Sequence, residues 1–377
     1  MQPDRLRVLD SLRGAAALIV VWHHVWKVIP VVPAWLATDW PGLVRVATWL
    51  SDQNVNAVLF FFVLSGFSIR LALDKSDFFQ PHGMSMYLRM RAARILPPYW
   101  LALVWTAFLG WLSGADHASF GVQTLLGNVA FLQTSSSARG AWFEPYGLNG
   151  PLWSLSYEVF YYLAVAALLA LVGRTRAAHD MFAPAFLAGT TVVSLMAIAV
   201  GLVLPNPFFS FAALWAVWAY GYAAAEIFIH GRPHLVFFAP TVLIGSVFFA
   251  ARSAGLFSAT LELLVAGALI GTTAVVVASI ARRPASRPRI AFVNAVNAIL
   301  NRVGRGSYAL YLLHYPLLLA VAVPLDRLGP QLGSTMVAAL VTVMAVIVCP
   351  WLESILRTPA RRLVGLANAA QTHKCGA

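Results

Sequence analysis

An all-α bundle of about ten membrane-spanning helices is the fold that this chain of 377 residues predicts. Three observations carry the prediction. Sixty per cent of the residues are hydrophobic, 11% are charged and the mean hydropathy is +0.75, too little polarity to cover a soluble domain. Apolar runs of spanning length recur along the whole chain, and in a bilayer such runs are helical because only a helix satisfies its own backbone. The basic residues, finally, alternate in density from one inter-run segment to the next.

Taken in order, the runs lie near residues 13–32, 55–72, 96–113, 153–173, 182–204, 208–229, 235–251, 258–280, 307–325 and 335–356. The first follows Arg5, Arg7 and Arg13 in the manner of a signal peptide. Histidines inside it, and no small-residue cleavage site after it, predict a retained first span. An even number of spans puts both ends of the bundle on one side. With the N-terminus inside, 21 of the 26 Lys and Arg residues fall on inner segments, leaving Lys27, Arg45, Arg139, Arg252 and Arg327 outside. That asymmetry predicts an N-in, C-in topology. It also accounts for most of the net charge of +12, so a nucleic-acid partner is not expected.

The connections differ in character. Residues 33–54 hold Trp35, Trp40 and Trp49, suited to the membrane–water interface. Residues 114–152 form an outer loop or lid that contains "GVQTLLGNVAFLQ" and then "TSSSARGAWFEPYGLNGP". A loop this long is usually functional; its aromatic, amide and hydroxyl groups suit a sugar, and an interfacial lid is the plainer reading. Residues 281–306 read as a basic inner loop and 357–377 as a short inner tail, so 1–377 is expected to be one transmembrane domain. Cys349 lies in an apolar run and Cys375 near the end; no disulfide is expected, and Cys-Gly-Ala is not a prenylation box.

Polar residues within the apolar runs point to chemistry. In "SLRGAAALIVVWHH" eleven residues separate Arg13 from His24, which on a helix is three turns plus roughly 20° and about 16 Å. Arg13 and His24 therefore share a face, with the arginine at the inner mouth, while His23 points away and is left to packing. In "GPLWSLSYEVFYY" Glu158 is expected one to two turns below the outer surface, where it could orient His24 as a general base. A neutral histidine bonding a neighbour and a carboxylate at a helix end are the plainer readings. Arg91 and Arg94 in "YLRMRAARILPPYW" face one way on a helix and could hold phosphates, or simply anchor the inner surface. "GRGSYALYLLHYP" opens a helix at Arg305 and Ser307 that would favour an anion, and puts Ser307, Tyr311 and His314 on one stripe. Ser65 and Gly66 in "FFVLSGFSIRL" suit close helix packing as much as chemistry.

With "LDSLRGAAALIVVWHH", "FFVLSGF", "RMRAARILP", "LWSLSYE" and "GSYALYLLHYP" in this order, the chain resembles the acyltransferase-3 family of integral membrane acyltransferases over essentially its whole length. The resemblance implies a ten-helix core moving an acyl group, commonly acetyl, from acyl-coenzyme A to a hydroxyl. The acceptor would be an exopolysaccharide, O-antigen or other lipid-linked glycan, or in some relatives a macrolide. For that activity, the layout of the residues makes His24 and Glu158 the expected catalytic residues and Arg13, Arg91, Arg94, Arg305 and Ser307 the expected acyl-CoA site. Ser65, Trp153, Ser156, Tyr308, Tyr311 and His314 would line the path of the substrate. The resemblance further implies a bacterial inner membrane, contact with lipid, no metal, and either direct transfer or a handover to a separate extracytoplasmic transferase, since no fused hydrolase-like domain is recognised. A covalent acyl intermediate on a Tyr or Ser stays open. A secondary transporter or flippase is the competing class, although the two related halves usual in transporters are not evident.

Overall fold

The structure is a computed structural model and describes residues 3–28, 34–75, 78, 82–114, 118–135, 138–172, 176–231, 235–280, 291–326, 337 and 339–356. Among these, helices dominate and no strand forms. In chain order they are α1 (Pro3–Val28), α2 (Ala34–Asp39), α3 (Pro41–Asp52), α4 (Asn54–Lys75), α5 (Gly83–Leu112), α6 (Val122–Val129), α7 (Trp153–Val172), α8 (Arg176–Val203), α9 (Pro207–Ala213), α10 (Trp215–His230), α11 (Ala239–Ser253), α12 (Ala259–Ile280), α13 (Ala291–Arg305), α14 (Ser307–Asp326) and α15 (Ala339–Leu356). Among the described residues eight segments are long and apolar enough to cross a membrane, and two shorter apolar helices, Ala239–Ser253 and Ser307–Ala320, complete the set expected from the sequence. The chain is an all-α, multi-pass membrane protein.

Helix α10 is the axis of one half of the bundle. Its residues from Trp215 to Ala225 are all buried, and α4, α8 and α12 surround it. Small side chains permit this: a Cβ on Gly66 would collide with the Trp218 carbonyl, and one on Gly221 with the Val63 carbonyl. The α4 and α10 backbones thus touch, as small residues allow in membranes. The other half packs α1, α5 and α15 around α14. A seam made by α1, α4, α5, α7 and α14 runs between the halves and contains the cavities described below.

Two connections depart from the reading as loops. Within 281–306, residues 291–305 form α13, which lies along the first turns of α1. Ser11 donates to the Asn297 carbonyl, and the Asn301 amide donates to the Arg7 carbonyl. Gly14 meets Leu300, and Gly304 meets the Asp10 carbonyl. The end of α15 reaches the same place, where the Glu353 carboxylate accepts from the Ala309 amide at 3.4 Å. The start of α1 and the end of α15 therefore lie at one arginine-rich end of the bundle, as an even number of spans requires. The charge bias predicts this end to be the inner one, and inner and outer are used below in that sense.

At the opposite, outer end, the described part of 114–152 dips into the bundle. Gln133, Thr134 and Asn149 are fully buried. Asn149 donates to Thr106 and to the Leu312 carbonyl of α14, Gln133 to the Tyr99 hydroxyl and the Leu152 carbonyl, and Asn128 to two carbonyls. Irregular backbone at membrane depth persists only where protein satisfies it, and these amides do so. Their NH2 groups are taken up inside the protein, while Gln133 Oε1 and Asn149 Oδ1 are buried with no hydrogen-bond partner among the described residues, and this loop acts as a packed plug. Phe131 holds a positive φ of 55° where the chain leaves α6, its ring stacked on Tyr99 at 4.5 Å. Burial raises the Tyr146 phenol above its ordinary value, keeping it protonated within the plug. Outside α1, α3 turns Trp40, Leu43, Val46 and Trp49 outward and is tied down by Trp22 and by His23, whose ring contacts Ser51.

Candidate active site

Arg13 and His24 are on one uninterrupted helix, and the structure puts them in different cavities. The inner cavity, about 70 Å³, is lined by Arg13, Arg91, Arg94, Glu158, Tyr162 and Ser307 among others. The outer one, about 390 Å³, is lined by His24, Asn54, Glu144, Trp153 and Tyr315 among others. Val58 and Tyr311 line both, so they form the partition between the two. Tyr311 is held there by a hydrogen bond between its hydroxyl and that of Ser154, 2.9 Å.

Electrostatics separate the inner cavity from its surroundings. Three guanidiniums line it against one carboxylate. Arg13 pairs with Asp10 at 3.0 Å and donates to Ser68. Arg91 lies by the Tyr87 ring, and its Nε is buried with no hydrogen-bond partner among the described residues. Arg94 is one turn further along α5. Counting Asp10 and Glu158 against the three arginines leaves one positive charge, in a narrow space open to an anion.

Glu158 is not beside His24. Its carboxylate accepts from Ser65 at 2.7 Å and from Tyr162, while the Trp218 indole donates to Ser65 at 3.2 Å. Glu158 lines the chamber of the arginines and His24 the other, so the pairing expected between them does not form. Ser65 is thus both a packing residue and a cavity residue, next to the Gly66 contact. Tyr162, one turn after Glu158, is the residue that the i, i+4 spacing could have exposed.

His24 is bonded instead to His314, with Nδ1 of His24 and Nε2 of His314 2.9 Å apart. The Tyr315 ring stands across His24 at 4.6 Å between centroids. His314, expected among the lining residues, is 2% exposed and lines neither of these two cavities. Ser156 likewise lines neither: it is buried and donates to the Gln133 and Trp153 carbonyls, securing the plug. Arg305 is exposed and absent from the cavity lining, and the first turn of α14 accommodates the Glu353 carboxylate where an external anion was expected. Ser307 reaches the inner cavity while donating to the Gly304 carbonyl. Trp153 lines the outer cavity, and Tyr308 lines the inner one, its hydroxyl on the Ile95 carbonyl. Among the described residues no cluster of three metal-ligating side chains occurs.

Two polar chambers separated by a partition, one lined by arginines and one by an imidazole, suit the transfer of a group between two substrates. Comparison with known proteins bears on what group is moved. A family described as an acyltransferase domain matches residues 6–353. No curated protein and no solved structure matches the chain. The match covers nearly every helix that builds the two chambers, and on it the chain belongs to the acyltransferase-3 family: it is a multi-pass membrane acyltransferase.

Proposed function

We propose that this protein moves an acyl group, acetyl by preference, from acyl-CoA at the arginine-rich side of a bacterial inner membrane to a hydroxyl of a surface or lipid-linked glycan. The observation that carries the reading is the two-chamber seam, with Arg13, Arg91 and Arg94 in one chamber and His24 in the other, divided by Val58 and Tyr311. The phosphates of the donor meet Arg91, whose buried Nε has no hydrogen-bond partner among the described residues, and Arg94 one turn further along α5. The narrow inner cavity suits the pantetheine chain and leaves the nucleotide at the surface. About 16 Å of helix separates Arg13 from His24, a span suited to an extended pantetheine arm that displaces Tyr311.

In the outer chamber His24 accepts the proton of the acceptor hydroxyl. The oxygen bonds to the thioester carbon, the carbon–sulfur bond breaks, and the CoA thiolate leaves. Trp153 and Tyr315 offer aromatic faces to a sugar ring, and Asn54 and Glu144 offer polar groups to its hydroxyls. The acceptor identity is tested by mass spectrometry of surface glycans from cells with and without the protein, where the loss of one acetyl per repeat is expected. The chemistry is tested with His24→Ala in membranes supplied with radiolabelled acetyl-CoA. Removal of a general base lowers transfer roughly 10²- to 10⁴-fold; undiminished transfer at normal expression would overturn the assignment. Stabilisation by acetyl-CoA, and none by free sugars or ions, separates this reading from a transporter.

A further inference from the structure

We infer that His314 is a positioning residue that holds His24 in the one tautomer whose basic nitrogen, Nε2, is available to the outer chamber. The inference rests on the reading of His24 as the base, and it follows from two hydrogen bonds in series.

The first lies within α14. His314 Nδ1 is 2.8 Å from the Leu310 carbonyl oxygen. A carbonyl only accepts, so His314 Nδ1 carries a hydrogen and donates it. Neither partner of His314 is an anion, and a buried charge without a counter-ion is costly; the resting ring is neutral. A neutral imidazole with hydrogen on Nδ1 has a lone pair on Nε2.

The second bond transmits this to α1. His314 Nε2 faces His24 Nδ1 at 2.9 Å. Since the first is an acceptor, the second must be the donor, and His24 carries its hydrogen on Nδ1. Its Nε2 is then the unprotonated nitrogen. The ring is also confined: Tyr315 stands across it at 4.6 Å, and His23 stands edge-on at 5.1 Å. His24 lines the outer cavity and His314 does not. The backbone of α14 thus selects the reactive nitrogen of a ring on α1, with a neutral histidine in the position that a carboxylate takes in other catalytic histidine pairs. When His24 takes a proton on Nε2, the same bond to His314 becomes charge-assisted and is strengthened.

The tautomer can be read directly. In the full-length protein in bilayers, labelled with ¹⁵N-histidine, the His24 signals are assigned by their loss in His24→Asn. We expect a pyrrole-type Nδ1 and a pyridine-type Nε2; the reverse pattern overturns the inference. Diethylpyrocarbonate, followed by mass spectrometry of the His24 peptide, reads reactivity without any acceptor. His314→Leu removes the acceptor for Nδ1–H, whereas His314→Gln offers an amide oxygen at the Nε2 position. Carbethoxylation of His24 should slow roughly ten- to a hundredfold in the leucine variant, by analogy with the loss of the hydrogen-bonding partner of a metal-ligating histidine, and stay within a few-fold of wild type in the glutamine variant. Equal rates in all three proteins, or a glutamine variant as slow as leucine, overturn it. If His314→Leu does not accumulate, His314→Met fills a similar volume and takes its place. In the transfer assay the leucine or methionine variant should lower kcat and leave KM for acetyl-CoA unchanged, because His314 lies outside the inner cavity. Labelling that follows this pattern without any acyl transfer would refute the proposed reaction and leave the pairing standing.

Discussion

A buried guanidinium nitrogen without a partner distinguishes Arg91 at the scale of the residue. Hydrogen bonds to charged groups are worth about 1.5–3 kcal/mol, so Arg91→Ala should raise KM for acetyl-CoA roughly ten- to a hundredfold while kcat changes little, and Arg94→Ala should act in the same direction. Steady-state kinetics with purified protein in nanodiscs measures the split; a fall in kcat at constant KM would move these arginines from binding to chemistry. Glu158 calls for a different contrast. It accepts from Ser65 and Tyr162, and a glutamine can still accept both through its amide oxygen, whereas alanine leaves two buried hydroxyls without that partner. Glu158→Ala is therefore expected to lose about 1–3 kcal/mol of stability and Glu158→Gln much less, as followed by thermal unfolding in detergent. Equal stability of the two variants would remove the hydrogen-bond account of this carboxylate.

At the scale of the element, the contact of α4 with α10 sets the position of Ser65 and, through it, of Glu158. Gly66 and Gly221 let the two backbones meet, and no rotamer change relieves a Cβ placed against a carbonyl. Gly221→Val should cost about 1–3 kcal/mol, the range for overpacking a core, with a lower midpoint of thermal unfolding and a weaker response of that midpoint to acetyl-CoA. An unaltered midpoint would mean that α4 and α10 slip apart without cost. The plug follows the same logic with polar groups. Its buried amides replace the water that irregular backbone lacks at membrane depth, which is why a stretch rich in asparagine and glutamine lies among the spans.

For the whole molecule, the arginine-rich ends of α1, α5 and α13 gather on one side and the plug and α3 on the other. With the native cysteines replaced, Trp49→Cys on α3 should react with an impermeant maleimide on intact spheroplasts. Ala295→Cys on α13 should react only after permeabilisation. The opposite labelling would invert the topology and, with it, the assignment of donor and acceptor chambers.

The spans, the all-α class and the family were legible in the chain, because a bilayer leaves one way to satisfy the backbone and because apolar runs and arginine counts are local properties. So was the shared wall of Arg13 and His24, which helix geometry alone specifies on α1. Contacts between helices were not, since they depend on where each helix starts in depth. Glu158 meets Ser65 and Tyr162 in the chamber of the arginines rather than His24, and Glu353 occupies the helix start expected for an anion. His314, read from its stripe as a substrate contact, turned out to stand behind His24, because the packing of α14 on α1 brings its ring edge to the imidazole and away from both cavities. The sequence by itself determined which side chains enter the membrane and along which helix face. Only the tertiary structure decided which of them meet, because that depends on the relative depth and rotation of separate helices, which no spacing along one helix encodes.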